Sequence, residues 1–244
     1  MKTLHLHING KEIETVEGEK ILWAALNNGI YIPNLCAIRE RGEPFGACRL
    51  CFVEIKGKDA PVTACTTKVT GGMVVNTKGP KALRLSRTAF ELILSNHPLD
   101  CGHCQRKGSC ELHRIARHLG VKLNTKRFRK ILRDLPIDTS IPVLIYDPNK
   151  CVLRSRCVWV CEEKLGIGAI GFAYRGFQRR VTTFGDEPLS VSGCQSCIEC
   201  ADICPVGAFV SKSGEVQKVQ SIRHQTSDYR LKMADDYQGS TRIG

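Results

Sequence analysis

Cys194-Gln195-Ser196-Cys197-Ile198-Glu199-Cys200-Ala201-Asp202-Ile203-Cys204-Pro205 sets four thiols within eleven residues and closes on a proline. The spacing is C-x2-C-x2-C-x3-C-P. In that spacing three thiolates wrap a loop about one face of a cubane iron–sulfur cluster, and the fourth turns away to a second cluster. A structural zinc site needs only two Cys-x-x-Cys pairs and rarely reaches this density. The spacing favours iron–sulfur ligation, with zinc as its alternative.

A second run with one fault lies upstream: Cys151-Val152-Leu153-Arg154-Ser155-Arg156-Cys157-Val158-Trp159-Val160-Cys161. The pattern asks for cysteine at 154 and finds arginine. By the crossover rule Cys161 joins Cys194, Cys197 and Cys200 in a complete set. The other set, Cys151, Cys157 and Cys204, is one ligand short, because a guanidinium stays protonated and has no lone pair to give. Three outcomes stay open there: a three-iron cluster, a four-iron cluster with a fourth ligand other than cysteine, and an empty site. Residues 141–146 read as a strand leading into the first run. Residues 206–210 and 215–219 read as a closing hairpin after the second. Residues 166–192 read as a two-stranded insertion, with strands at 169–174 and 180–184. Its Gly166-Ile167-Gly168-Ala169-Ile170-Gly171 matches G-x-G-x-x-G in form only. A dinucleotide site would need it between a strand and a helix, and here it follows a cysteine-bearing helical stretch and leads into strand-like sequence.

A third cluster of donors precedes these runs. His97, Cys101, Cys104 and Cys110 follow the spacing H-x3-C-x2-C-x5-C. One imidazole and three thiolates suit either a cubane or a structural zinc. Beside two iron–sulfur signatures, iron is the reading to prefer. A neutral imidazole in place of a thiolate raises a cluster's potential. Residues 80–96 form a helix that delivers this loop, with Pro80 near its start and Leu83, Phe90, Ile93 and Leu94 on one side. His103 sits inside the Cys-x-x-Cys, and His113 and His118 fall on the next helix, residues 109–119. All three read as surface or supporting residues rather than ligands. Residues 121–140 read as a covering loop.

The N-terminal part alternates apolar and polar residues around Asn9-Gly10, a strong hairpin signal. A helix follows at 19–28, then short strands at 52–56, 62–65 and 73–76. Hairpin, helix and strands make a β-grasp fold of about eighty residues. Set into it are Cys36, Cys48, Cys51 and Cys65, spaced C-x11-C-x2-C-x13-C. A loop ligand, a Cys-x-x-Cys and one distant ligand is the order that plant-type [2Fe–2S] sites use, with a longer first gap here. Small residues at Gly42, Gly46 and Ala47 let backbone approach the cluster. Buried or zinc-bound cysteines are the plainer alternative.

Composition narrows the field. Fourteen cysteines could make seven disulfides in a secreted chain, but the first eighteen residues have no apolar leader core and no cleavage site. No apolar run reaches membrane-spanning length, so a cytoplasmic, metal-binding chain is expected. The donor sets together use every thiol. A formal net charge of +12 fits an acidic partner surface. Residues 122–133 are strongly basic, yet they hold one aromatic, Phe128, and no recognition pattern, so no nucleic acid is expected. No G-x-S-x-G, P-loop or H-E-x-x-H motif marks a substrate site, and the chain reads as non-catalytic alone.

The expected fold class is α+β, in this order: a β-grasp [2Fe–2S] ferredoxin domain (1–79), a helical [4Fe–4S] domain with one His and three Cys ligands plus a linker (80–140), a bacterial-type two-cluster [4Fe–4S] ferredoxin domain (141–215), and a C-terminal tail (216–244). The motifs Cys36/Cys48/Cys51/Cys65, His97/Cys101/Cys104/Cys110 and the two runs ending at Cys161 and Pro205 resemble a known series. It is found in the N-terminal segment of the complex I large iron–sulfur subunit and in the N-terminal half of [FeFe] hydrogenases. It is also found in the small iron–sulfur subunit of NAD(P)-linked [NiFe] hydrogenases, electron-bifurcating ones included, and of formate dehydrogenases. The resemblance covers residues 1 to about 215, and Arg154 departs from it. It implies an electron wire between a flavin- and NAD(P)-binding iron–sulfur subunit and a hydrogenase or other dehydrogenase catalytic subunit. Two other classes compete: a zinc-rich nucleic-acid or scaffold module, and a reductase that binds flavin or nicotinamide at Gly166–Gly171.

Overall fold

The computed structural model describes residues 2–124 and 126–212. Strands β1 (Thr3–Ile8) and β2 (Lys11–Val16) form a hairpin, and Asn9 and Gly10 both take positive φ, as a two-residue turn of matching twist requires. The Asn9 side chain also pairs with Thr77, donating from Nδ2 to Oγ1 at 2.8 Å and accepting from Thr77 N at 2.9 Å. That contact anchors the turn to β5 (Val74–Asn76), which runs parallel to β1. With β3 (Phe52–Ile55) and β4 (Val62–Thr63) the sheet order is β2-β1-β5-β3-β4. Helix α1 (Ile21–Asn27) closes the core with Leu6, Ile8, Ile13, Ile21, Leu22 and Val53, all essentially buried. This is the expected β-grasp arrangement, with strands shorter than their alternating sequence.

Helix α2 (Pro80–Ser95) starts at Gly79, which has no side chain to cap it. The cap comes from β3. Glu54 Oε1 accepts from Lys81 N at 2.8 Å and from Ala82 N at 3.0 Å, and a Cβ at Gly79 would land on that carboxylate. The glycine is there for close approach.

The second core is larger and joins all parts of the chain. Phe90 and Leu94 of α2 meet Leu112 and Ile115 of α3 (Glu111–Leu119), Leu35 and Leu50 from the β-grasp loop, and Phe209. Strand β6 (Leu144–Tyr146) pairs antiparallel with β9 (Phe209–Ser211), and the Tyr146 and Phe209 rings stack at 4.2 Å. The sequence pairs residues 206–210 with 215–219. In the structure residues 209–211 pair with β6, and 215–219 and the tail lie outside the described residues. The insertion is a hairpin of β7 (Gly171–Ala173) and β8 (Arg180–Thr182). Its formal G-x-G-x-x-G is a turn after a helix: Gly166 and Gly168 take positive φ and Gly171 opens β7. The basic stretch 122–133 straps the elements together. Arg127 bonds Glu91 at 2.8 Å, Lys130 Nζ bonds the Leu94 carbonyl at 2.8 Å, and Arg133 bonds the Cys151 carbonyl at 2.9 Å.

Candidate metal centres

All fourteen cysteines are free thiols. Among the described residues no three His, Cys, Asp or Glu side chains converge closely enough to hold a single metal ion, but the thiols neighbour one another in four sets.

Cys36, Cys48, Cys51 and Cys65 are buried on the loops that flank β3 and β4. Cys48 N donates to Cys36 Sγ at 3.4 Å. Side-chain hydrogen bonding between the pair, and then burial, pushes the Cys36 thiol up; the same bond pulls Cys48 down to about 5 against its burial. Cys51 and Cys65 form the same kind of pair, Cys51 held up and Cys65 down. Two adjacent thiol pairs are what a two-iron rhomb asks for, two thiolates per iron.

His97, Cys101, Cys104 and Cys110 line one cavity at the end of α2, with Leu99 and Leu112 among its apolar walls. His97 is buried, and burial pushes its imidazole down to about 4, so the ring is neutral. Its Nδ1 lies 3.1 Å from the Lys150 carbonyl oxygen. A carbonyl only accepts, so Nδ1 carries the proton and Nε2 keeps a free lone pair, as a metal-ligating histidine needs. His103 is exposed on Asp100, and His118 packs edge-on against Tyr31. His113 is exposed but lies at the rim of the cavity. Two supporting residues escape sequence reasoning. A Cβ on Gly207 would stand 2.9 Å from Cys104 Sγ, so only glycine lets that segment pass. Arg106 donates to the Ala201 carbonyl, which ties this loop to α5 (Glu199–Ile203). A glycine just beyond a Cys-Pro motif was the one available signal.

Cys161, Cys194, Cys197 and Cys200 line another cavity, walled by Val160, Ile167, Ala169, Leu189 and Phe209. Cys161 reaches it from a π-turn (Val160–Lys164) that continues helix α4 (Arg156–Trp159). Cys151 and Cys204 stand close to Cys157: burial first, then those thiols, pushes Cys157 up, and burial with Cys204 pushes Cys151 to about 11. Backbone geometry repeats between the two runs. Positive φ occurs at Leu153 and Ser155, two and four residues after Cys151, and at Ser196 and Ile198, at the same offsets from Cys194. Alternating hand of this kind turns successive N–H groups inward, making a concavity for an anion. A β-branched residue such as Ile198 adopts it at a cost of about 1–3 kcal/mol, which is tolerated where function fixes the backbone. The first run keeps this loop although Arg154 holds the second ligand position. Thiol-lined cavities, inward amides and a neutral imidazole together fit anionic iron–sulfur clusters.

Comparison with known proteins agrees with that chemistry. Residues 1–80 match the 2Fe-2S iron-sulfur cluster binding domain, and residues 87–124 match the NADH-ubiquinone oxidoreductase-G iron-sulfur binding region. Residues 142–210 match the ferredoxin-like domain of NADH-quinone oxidoreductase subunit 3. The chain is thus a multi-domain iron–sulfur protein. More particularly, it is similar to chains of NAD(P)-linked hydrogenases and of NADH-quinone oxidoreductases. It is 39% identical over 207 residues to NADPH-Fe(3+) oxidoreductase subunit alpha of Geobacter sulfurreducens, covering 85% of this chain and 24% of the relative. It is 34% identical over 220 residues to the NADP-reducing hydrogenase subunit HndD of Solidesulfovibrio fructosivorans, covering 86% and 36%. The chain therefore spans about a quarter to a third of the curated relatives it matches. A chain in the crystal structure of an NAD+-reducing [NiFe]-hydrogenase in the H2-reduced state superposes with a TM-score of 0.76 at 29% identity, covering 91% of this chain and 90% of that one. Among the described residues no helix is long and apolar enough to cross a membrane.

Proposed function

We propose that this chain carries electrons between a flavin- and NAD(P)-binding iron–sulfur subunit and a hydrogenase catalytic subunit, in the cytoplasm, where thiols stay reduced. In this reading Cys36, Cys48, Cys51 and Cys65 hold a [2Fe–2S] cluster. His97, Cys101, Cys104 and Cys110 hold one [4Fe–4S] cluster, and Cys161, Cys194, Cys197 and Cys200 hold another. Cys151, Cys157 and Cys204 meet the ligand demand of a three-iron cluster. The domains divide at about 79, 140 and 215. When bound, such clusters take up and release single electrons. The protein's share is to ligate, to exclude water, and to set potentials through ligand type, hydrogen bonds and burial.

The observation that carries the proposal is the convergence of Cys161 with Cys194, Cys197 and Cys200 on one cavity. Thirty-odd residues of chain separate them, and a chance grouping of structural thiols has no reason to follow the crossover rule. Support also comes from the buried, neutral His97 with Nε2 free. A second reading keeps the relay and changes its terminus to a quinone-linked or formate-oxidising enzyme. It is favoured by 36% identity over 207 residues to a chain of an NADH-quinone oxidoreductase from Rhizobium meliloti, 23% of whose length is covered.

The test is metal and acid-labile sulfide analysis of anaerobically purified protein, with EPR after stepwise reduction. Iron and sulfide in near-equal amounts, with signals from both two-iron and four-iron centres, are expected. Colourless protein loaded with zinc would overturn the reading. Co-purification from the native host then separates a hydrogenase partner from a quinone- or formate-linked one.

A further inference from the structure

Arg154 holds the position where the first run should carry its second ligand, yet its side chain leaves that run. Its Nη1 donates at 3.0 Å to the carbonyl oxygen of Ala47, the residue before Cys48 in the N-terminal domain. The contact joins residues 107 apart in sequence. Arg154 lines one cleft with Ala47, Cys48, Arg49 and Cys151, between the two groups of thiols. Its Nε is buried and has no hydrogen-bond partner among the described residues, and the same is true of Arg156 Nε two residues on. A buried N–H without an acceptor is costly, and a charged one more so. Cluster thiolates border the cleft on both sides, at Cys48 and at Cys151, and the bond to Ala47 directs the side chain to the residue next to Cys48.

We infer that Arg154 is the counter-charge of the [2Fe–2S] centre: the residue that removes one ligand from the ferredoxin domain serves the neighbouring domain's cluster instead. This rests on the proposed ligand set Cys36, Cys48, Cys51 and Cys65. Electrostatics are consistent with it. The guanidinium shares its cleft with Cys48 and Cys151, so its positive charge sits beside thiols of both groups. Each reduction adds one negative charge to the cluster, so a fixed positive charge beside it stabilises the reduced form more than the oxidised one. Arg154 is thus a positioning and tuning residue that raises the potential of the first centre without ligating it.

The test uses the full chain, cluster-loaded, with the [2Fe–2S] midpoint potential read by EPR-monitored redox titration in three proteins: unsubstituted, Arg154→Gln and Arg154→Lys. Arg154→Gln keeps hydrogen-bonding capacity and removes the charge. It is expected to shift the reduction equilibrium about tenfold towards the oxidised form, about 59 mV for one electron. Arg154→Lys should keep most of the original potential. Loss of the [2Fe–2S] spectrum in Arg154→Gln but not in Arg154→Lys would equally support the role of charge. An unmoved potential in Arg154→Gln, an equal shift in both variants, or loss of the centre in both would overturn it. Absence of any [2Fe–2S] signal in the unsubstituted protein is a different failure, and sinks the ligand assignment itself.

Discussion

At position 97 an imidazole stands where a fourth thiolate would satisfy the three that follow it. Its ring is oriented by one bond, Nδ1–H to the Lys150 carbonyl, and Lys150 immediately precedes Cys151. The proposed second centre is therefore tuned by a residue of the third domain. Replacing His97 by cysteine puts an anion where a neutral ligand stood. The midpoint potential of that cluster should fall by an amount on the order of 100 mV, judged from the gap between Rieske and all-cysteine centres. An unaltered redox titration of His97→Cys would remove His97 from the ligand set. Arg154 is a residue with two consequences. Arg154→Cys restores the pattern of the first run on a loop whose backbone already repeats that of the second. Iron analysis should find one more iron for each chain if a three-iron cluster becomes a four-iron one, while the [2Fe–2S] potential falls because the guanidinium has gone. Unchanged iron content would count against the grouping of Cys151, Cys157 and Cys204. Neither role could be read from sequence beyond the missing cysteine, because the contact with Ala47 spans most of two domains.

Among the elements, α2 is the one whose stability depends on a distant residue. Its first-turn amides are capped by Glu54 from β3, across a glycine that leaves room for the carboxylate. Glu54→Ala should cost about 1–2 kcal/mol, the usual loss when a charged cap is removed. Thermal unfolding of the cluster-loaded protein should record a lower Tm, and Glu54→Gln should recover part of it. An unchanged Tm in Glu54→Ala would mean that water caps the helix equally well. The insertion hairpin has its own fastening. Asp186 accepts from Arg180, Tyr174 and Thr182, and these bonds hold its carboxyl down to about 2, Arg180 foremost. A depressed carboxylate contributes its stability above its unfolded value, near 3.9, and loses it as pH falls through 2. Asp186→Asn should therefore speed amide exchange in β7 and β8 at neutral pH, and equal exchange in both proteins would dismiss the fastening. The elements themselves were largely legible. Alternation around Asn9-Gly10, the Pro80 start and the amphipathic spacing of α2 are local signals that survive folding. What sequence did not supply was partnership: residues 206–210 read as half of a local hairpin, and nothing in them announced the strand pair that 209–211 make with β6. A short strand's own pattern does not name its neighbour.

For the molecule as a whole, the two cores differ in what they can do without metal. The β-grasp core rests on a five-stranded sheet and a continuous set of large aliphatic side chains, from Leu6 and Ile8 to Ile21 and Val53. Among the described residues the ferredoxin part has three-residue strand pairs, a four-residue helix continued by a five-residue π-turn and another helix of five, and its apolar core includes Cys151, Cys161 and Cys204 among the buried residues. Helices that short do not hold by themselves, and a two-stranded pair is marginal in water. Where ligands are drawn from distant runs, metal affinity becomes folding free energy. Anaerobic removal of iron by a chelator under reducing conditions should thus loosen residues 97–110 and 151–208 while the sheet β2-β1-β5-β3-β4 keeps its slow exchange. Hydrogen–deuterium exchange before and after chelation reads the difference directly. The β-grasp loop 36–48 is the informative border, since Leu35, Cys36 and Cys48 lie in the shared core although they belong to the N-terminal domain. It should loosen with the ferredoxin part, not persist with the sheet. Uniform loss of protection across the whole chain would show one cooperative unit, and would end the view that the N-terminal domain stands on its own core.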